Sequence, residues 1–470
     1  MNRSNLIVLV IDSLRQDHVS YYNGGGKAFP GVEACKTPNL DELAKESVTF
    51  SNAYPAGLPT IPIRTELMTG HYTLPYRSWE PLHPSDITLA EILKSNGYVT
   101  GLIADNYHLF KPGMNFHKGF NSFSWIRGQE YDAFRTAPPK KRNVDDYVNK
   151  NYREATSNNL FLGTKTPWIK LIEQYLANVD DFEEEDDWFA ARVFEESSSW
   201  LRANSNKGNF FLWVDCFDPH EPWFPPIEFN TYTDRNHSGP KLILPMGGMA
   251  SEWATPEEIN YVRGMYAGEA AFVDHSLGRF RETIDELGLG DDTTILVLAD
   301  HGHPLADHGK FLKGPDRLYN ELLKVPFMIR LPGGEHAHKT EAVVQFPDVL
   351  PTLLDLLGLG NDTASLHGKS FLPVLTNQST SHRRFAISGY HGSTDRCIRN
   401  ERWTYIERPP GQQSELYDLS KDPHERRNVA REEAETVEVM RQAFGSYFRK
   451  TQAGGTGVQG KQELGGTSFC

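Results

Sequence analysis

A hydroxyl, a proline and a guanidinium fall together in Thr60-Ile61-Pro62-Ile63-Arg64. Proline favours the first turn of a helix, so Thr60 is expected at or near a helix N-cap, its oxygen beside backbone N–H groups without helical partners. Such termini bind phosphate and sulfate. Arg64, four residues on, shares a face with Thr60 and is expected to fork onto an anion's oxygen or to bond the hydroxyl. Two further segments offer metal ligands. Asp12 ends the apolar run Leu6–Ile11, and Asp300-His301 follows Thr294–Ala299. Two carboxylates and an imidazole can hold a divalent cation, and the Thr60 oxygen can complete the set. A metal lowers the pKa of a hydroxyl as it does that of bound water, which is what makes threonine a credible nucleophile. Taken singly, each feature has an ordinary explanation: a capping Thr, a surface Arg, a strand-end Asp in a turn.

The elements that must carry these residues follow from pattern. Leu6–Ile11 is continuously apolar and β-branched, as in a strand buried on both faces. Tyr98–Ala104, Phe210–Val214, Thr294–Ala299 and Pro326–Leu331 read alike, with helical patterns between them at Ser85–Ser95 and Glu257–Leu287. The alternation predicts an α/β fold with a mainly parallel sheet sandwiched between helices, and open sheets of that kind place ligands at the carboxyl ends of their strands. The catalytic unit is expected to span 1–375. Within it, 121–187 reads as an exposed insertion, a lid or a dimer contact, because it contains Pro138-Pro139-Lys140-Lys141-Arg142 and the acidic run Glu183–Asp187. A smaller subdomain at 376–450 offers short strands at Arg384–Ser388, Trp403–Ile406 and Glu415–Tyr417, then a helix near Glu433–Phe448. The Gly-, Ser-, Thr- and Gln-rich tail, 451–470, is expected to be disordered.

A chain of 470 residues with 39% hydrophobic content can bury a large core, and its formal net charge of −14 argues against a nucleic-acid partner. Cys35, Cys216, Cys397 and Cys470 are far apart and lack metal-ligand spacing, which reads as a reduced, cytoplasmic chain. No apolar run approaches a membrane span, and Leu6–Ile11 is too short for a signal peptide.

In the order Asp12, Thr60-x-Pro-x-Arg64…Thr69-Gly70, Asp300-His301, Lys313, the chain resembles the sulfatases of the alkaline-phosphatase superfamily. Thr37-Pro38-Asn39-Leu40-Asp41, Ser51-Asn52-Ala53-Tyr54, Asp307-His308-Gly309 and Glu415-Leu416-Tyr417-Asp418-Leu419 add to that likeness. The resemblance implies an alkaline-phosphatase-like fold with a C-terminal antiparallel sheet and helix. It also implies that His220 contacts the substrate anion and that Lys313 lies near the leaving group, with His108, beside a family Lys-Trp-His segment whose lysine is here Asn106, as the other candidate to protonate the departing alcohol. Each of these has a plainer explanation, as a loop histidine or a solvated lysine. Two departures stand out. Thr60 replaces the cysteine or serine that the family oxidises to formylglycine, and Ser13 stands where sulfatases have a second Asp and phosphonate monoester hydrolases a Gln.

The departures direct the chemistry. Fewer carboxylates fit calcium poorly, since it takes roughly six to eight oxygens, so one manganese or zinc ion is favoured with calcium as the alternative. Asp218, His220, His303 and His308 are available in number for a second metal, but not at the spacing of a two-metal phosphodiesterase. Formylglycine hydrate sheds sulfate by breaking its own C–O bond, an exit that threonine lacks, whereas water can attack a threonine-bound phosphorus. The expected activity is hydrolysis of small anionic phosphodiesters or phosphonate monoesters by a monomer or homo-oligomer. The alternatives are a sulfatase without formylglycine, a phosphotransferase, and an inactive binding protein.

Overall fold

Asn5–Ile11 is buried along its whole length after the first residue. Because side chains alternate between faces, unbroken burial means that both faces of this strand are covered. It lies at the middle of an eight-stranded sheet, between the parallel strands Thr293–Ala299 and Phe210–Cys216. Beyond Phe210–Cys216 come Val99–Ala104 and the edge strand Ser122–Trp125, also parallel. On the other side Phe327–Arg330 runs antiparallel between Thr293–Ala299 and Val48–Tyr54, and His338–Gln345 closes the edge parallel to Val48–Tyr54. The computed structural model describes residues 4–159, 164–360 and 365–454.

The architecture is α/β with a mainly parallel large sheet, as the alternation predicts. Val48–Tyr54, Ser122–Trp125 and His338–Gln345 are additions, and each mixes polar residues into its run, which hides it from an apolar-run reading. Helix Leu89–Ser95 starts later than expected because Thr88 and Glu91 form a capping box, while Asp86 is taken up by Arg77 and the His83 N–H. The long helix Pro256–Glu286 begins at a second capping box, Thr255 with Glu258, and packs against Phe189–Asn204.

The segment 121–187 is more than an insertion. Its first residues are the edge strand Ser122–Trp125, and helix Trp168–Asn178 buries Leu171, Ile172, Tyr175 and Leu176. Its charges pair within the chain: Lys141 with Glu183, Glu185 with His275, Asp186 with Arg279.

A second sheet has the order Glu415–Asp418, Trp403–Glu407, Arg396–Arg399, Ala386–Tyr390, all antiparallel, and then the two-residue strand Gly57–Leu58, parallel to Ala386–Tyr390. The C-terminal sheet therefore grips the chain just ahead of Pro59-Thr60. Glu66 fixes the same turn from within, accepting from Gly57 N at 2.9 Å, Ala56 N at 3.2 Å and Thr73 Oγ1 at 2.8 Å. Gly57 admits no side chain, since a Cβ there would lie 1.9 Å from Thr73 Oγ1. The final helix runs Ala434–Gly454, past the expected start of a disordered tail, because Thr451-Gln452-Ala453 contains no helix breaker. Residues 455–470 lie outside the described residues. Cys35, Cys216 and Cys397 are buried and unpaired, and among the described residues no helix is long and apolar enough to cross a membrane.

His308 ties the two sheets' surroundings together. Its Nδ1 lies 2.7 Å from Glu321 Oε1 and its Nε2 3.0 Å from the Glu425 carbonyl, with Tyr319 stacked on the ring at 3.8 Å. Both partners are acceptors, so both nitrogens carry protons and the ring is cationic. Burial opposes that charge, but the Glu321 bond and charge outweigh it and raise the ring to about 9 from 6.5. Glu321 is itself raised to about 7 by burial, and the double acceptor geometry decides in favour of the charged ring. A raised basic group stabilises fully below its unfolded pKa and loses that contribution as pH rises through its folded one. Thermal unfolding midpoints should therefore fall between pH 7 and 9.5, and His308→Gln should flatten most of that slope. An equal slope in the variant would remove His308 from the account.

Candidate metal and ester-binding site

Three carboxylates emerge from the carboxyl ends of three adjacent parallel strands. Asp12 follows Ile11, Asp300 follows Ala299, and Asp215 is the next-to-last residue of Phe210–Cys216, in register with Val10. Buried parallel strands that end in an acid produce such a cluster directly. All three carboxylates are fully buried, and all three touch one cation, Arg64, itself without solvent exposure.

Arg64 makes a two-pronged bond to Asp215, Nε to Oδ2 at 3.1 Å and Nη2 to Oδ1 at 2.9 Å. Nη2 also lies 3.0 Å from Asp12 Oδ2 as an ion pair, and Nη1 contacts Asp300 Oδ2. Nη1 further reaches the Thr60 carbonyl at 3.5 Å, tying the first turn of helix Thr60–Thr69 to the acidic cluster. Thr60 is the first helical residue, buried, with Pro59 in the capping position. Arg64 is thus folded inward onto carboxylates, and the fork expected to meet a substrate oxygen is already occupied.

Asp12, Asp300 and His301 each place a ligand atom within 4.8 Å of the others. Their chemistry fits a divalent ion on three counts. One guanidinium faces three buried carboxylates, and Lys313, the other cation acting on Asp12, is shared with Glu221, so negative charge is in excess, which burial makes costly. Asp12 Oδ2, which meets Arg64 only as an ion pair, and His301 Nε2 are buried without hydrogen-bond partners. His301 Nδ1 donates to the Gly302 carbonyl at 2.7 Å, which fixes the tautomer with its Nε2 lone pair free to ligate. The titration directions agree. Burial and the neighbouring Asp300 push Asp12 well up. Asp300, despite burial, is brought down to about 2 by Arg64 and His301, and burial brings His301 down to about 4.

Ser13 adopts a left-handed conformation, φ 61°, unusual for a residue other than glycine. The conformation directs its N–H to Asp300 Oδ1 and its hydroxyl to Asp12 Oδ1, both at 3.0 Å. Where the resemblance expects Asp or Gln, this chain has a donor that holds the two carboxylates in place.

On a second wall, Lys313 Nζ donates to His220 Nε2 at 2.6 Å, and His220 stacks on Phe217 at 4.1 Å. Burial opposes the Lys313 charge, but Glu221 and Asp12 outweigh it and hold the pKa above its usual value. His108 is buried on the 3₁₀ turn after Val99–Ala104, with Nε2 2.9 Å from Glu130 Oε2 and the ring edge-on to Trp79. Among the described residues, those considered for a second metal form no ligand group of three or more. Asp218 accepts from Gln129 and from Ala190 N, and His308 is engaged as described. His303 is buried with neither ring nitrogen hydrogen-bonded.

Asp215 and Glu221 are the functional neighbours that the sequence reading passed over. Asp215 had a signal of its own: like Asp12 and Asp300, it follows directly on an apolar run. Glu221 had none, beyond sitting next to His220.

A family model described as Sulfatase matches residues 4–359. A second, described as N-sulphoglucosamine sulphohydrolase, C-terminal, matches residues 306–448. The chain belongs to the sulfatase family, within the alkaline-phosphatase superfamily, and it is a hydrolase of that family. It is 27% identical to an arylsulfatase of Clostridium perfringens, the match covering 93% of each chain. It is 26% identical to a multifunctional alkaline phosphatase superfamily protein of Trinickia caryophylli over 92% of each. Among solved structures, the phosphonate monoester hydrolase of Agrobacterium radiobacter superposes with TM-score 0.69 at 22% identity, covering 96% of both chains. The family normally works with a divalent metal ion, and Asp12, Asp300 and His301 form the site suited to one here.

Proposed function

We propose that this chain hydrolyses singly charged phosphorus esters, phosphodiesters or phosphonate monoesters, with Thr60 itself as nucleophile. The observation that carries the reading is Thr60 at the head of a buried helix whose first turn is bonded, through Arg64, to the acidic cluster. Asp12, Asp300, His301 and the Thr60 oxygen would hold the cation, manganese or zinc by ligand type, which when bound lowers the hydroxyl pKa and polarises the ester. Arg64 orients Asp12 and Asp300 and keeps their charges together, and does not itself grip the substrate. His220 takes a hydrogen bond from Lys313 and so aims the ammonium, and Lys313 protonates the departing oxygen. His108, held by Glu130, lies against Phe217, on which His220 stacks.

A second reading, sulfate ester hydrolysis without formylglycine, draws on the arylsulfatase relative. A panel separates the two. Bis-aryl phosphodiester or phenylphosphonate monoester should be cleaved with higher kcat/KM than the matching aryl sulfate or phosphate monoester, because one divalent ion offers limited charge to a dianion. Aryl sulfate as the best substrate of the unmodified chain would favour the second reading.

A further inference from the structure

Glu221 is buried against both residues that the proposed mechanism assigns to the leaving group. Its Oε1 lies 3.5 Å from Lys313 Nζ. Its Oε2 lies 3.4 Å from His220 Nδ1 and 3.5 Å from His303 Nδ1, and has no hydrogen-bond partner. Its backbone carbonyl accepts from His220 Nδ1 at 2.6 Å. That last bond places the ring proton on Nδ1 and leaves the Nε2 lone pair to receive Lys313 at 2.6 Å.

One residue therefore acts on the ammonium by two routes. Its carbonyl sets the tautomer of the histidine that receives one Lys313 N–H, and its carboxylate supplies the ion pair on another side. An ammonium has three donors. With two directions engaged, the third remains for the departing oxygen. A floppy lysine has no such preference, and burial alone would drive it toward the neutral amine.

From this geometry we infer that Glu221 is a positioning residue for the leaving-group step, acting through Lys313 and His220 on whatever ester this site cleaves. The inference rests on the reading of Lys313 as the leaving-group acid. The plainer explanation, a buried counter-ion that only supports the fold, makes different predictions.

Glu221→Gln keeps the shape and the backbone carbonyl and removes the charge. On phosphonate monoesters and phosphodiesters with phenol or alkyl leaving groups, kcat should fall roughly 10- to 100-fold with KM nearly unchanged, while 4-nitrophenyl esters lose much less, since general acids matter most for basic leaving groups. In a Lys313→Ala background the same substitution should cost nothing further, because residues that act as a unit are not additive. A loss equal across leaving groups, a loss additive with Lys313→Ala, or no loss at all overturns the inference. A readout without turnover keeps it separable from the hydrolase reading. In isotope-labelled protein, the Lys313 side-chain resonance should titrate at lower pH in Glu221→Gln than in the parent, and an unmoved titration overturns the inference. A parent that cleaves none of the esters contradicts the proposed function, while the Lys313 titration still decides the role of Glu221.

Discussion

Thr60→Ala should lower kcat/KM by about 10⁴-fold or more, the scale on which loss of a nucleophile is felt when the rest of its machinery survives. The fold should survive. Thr60 is the first residue of its helix, with Pro59 capping, and the turn is held by Glu66, Arg64 and the C-terminal sheet, none of which uses the Thr60 side chain. Loss of one buried methyl and hydroxyl of this kind costs roughly 1–2 kcal/mol, a shift of a few degrees in Tm. Thr60→Ser retains the hydroxyl and should retain most of the rate. Thr60→Cys, produced beside a formylglycine-generating enzyme, should gain aryl sulfate hydrolysis, since it restores the residue that the resemblance expects at the head of the motif. Thr60→Ala with parental activity would end the assignment of the nucleophile.

Arg64→Ala should be the most destabilising single change in the site. Removal of the guanidinium leaves Asp12, Asp215 and Asp300 buried together without the one cation that all three touch, and breaking a buried ion pair from one side costs roughly 3–5 kcal/mol. The loss should be partly reversed by manganese or zinc, because a divalent ion on Asp12, Asp300 and His301 neutralises two of the three carboxylates. Arg64→Lys keeps a charge but cannot make the two-pronged bond to Asp215, and should fall between parent and Ala in Tm. Thermal unfolding with and without added metal measures both effects. A variant as stable as the parent, or one indifferent to metal, would contradict this view of Arg64.

The contrast between Arg64 as read from sequence and as placed in the structure shows where sequence reasoning stops. Apolar runs located five of the eight strands of the large sheet and, through the strand-end acids, the place where a site must form. Asp12 and Asp300 are 288 residues apart in the chain, yet each follows the same kind of apolar run, and parallel pairing brings such ends together. Asp215 follows the same rule and was legible in principle. The direction of the Arg64 side chain was not, because spacing along a helix puts Arg64 and Thr60 on one face without saying whether that face meets carboxylates or solvent. Nor was the strand Gly57–Leu58, two residues long and defined wholly by its partner at Ala386–Tyr390. Lys313 and His220, 93 residues apart, meet at 2.6 Å through loops that carry no periodic signal, and only the family resemblance singled them out.

The central claim is that an unmodified Thr60 forms the covalent bond to phosphorus. It is tested most directly by stopping the reaction of the parent with phenylphosphonate monoester in acid, digesting, and weighing the peptide that contains Thr60. The account predicts a fraction of that peptide heavier by one phenylphosphonyl group, with fragmentation placing the group on Thr60, and no such peptide from Thr60→Ala. Turnover of the ester with the Thr60 peptide at its unmodified mass throughout, or the adduct on another residue, would contradict it.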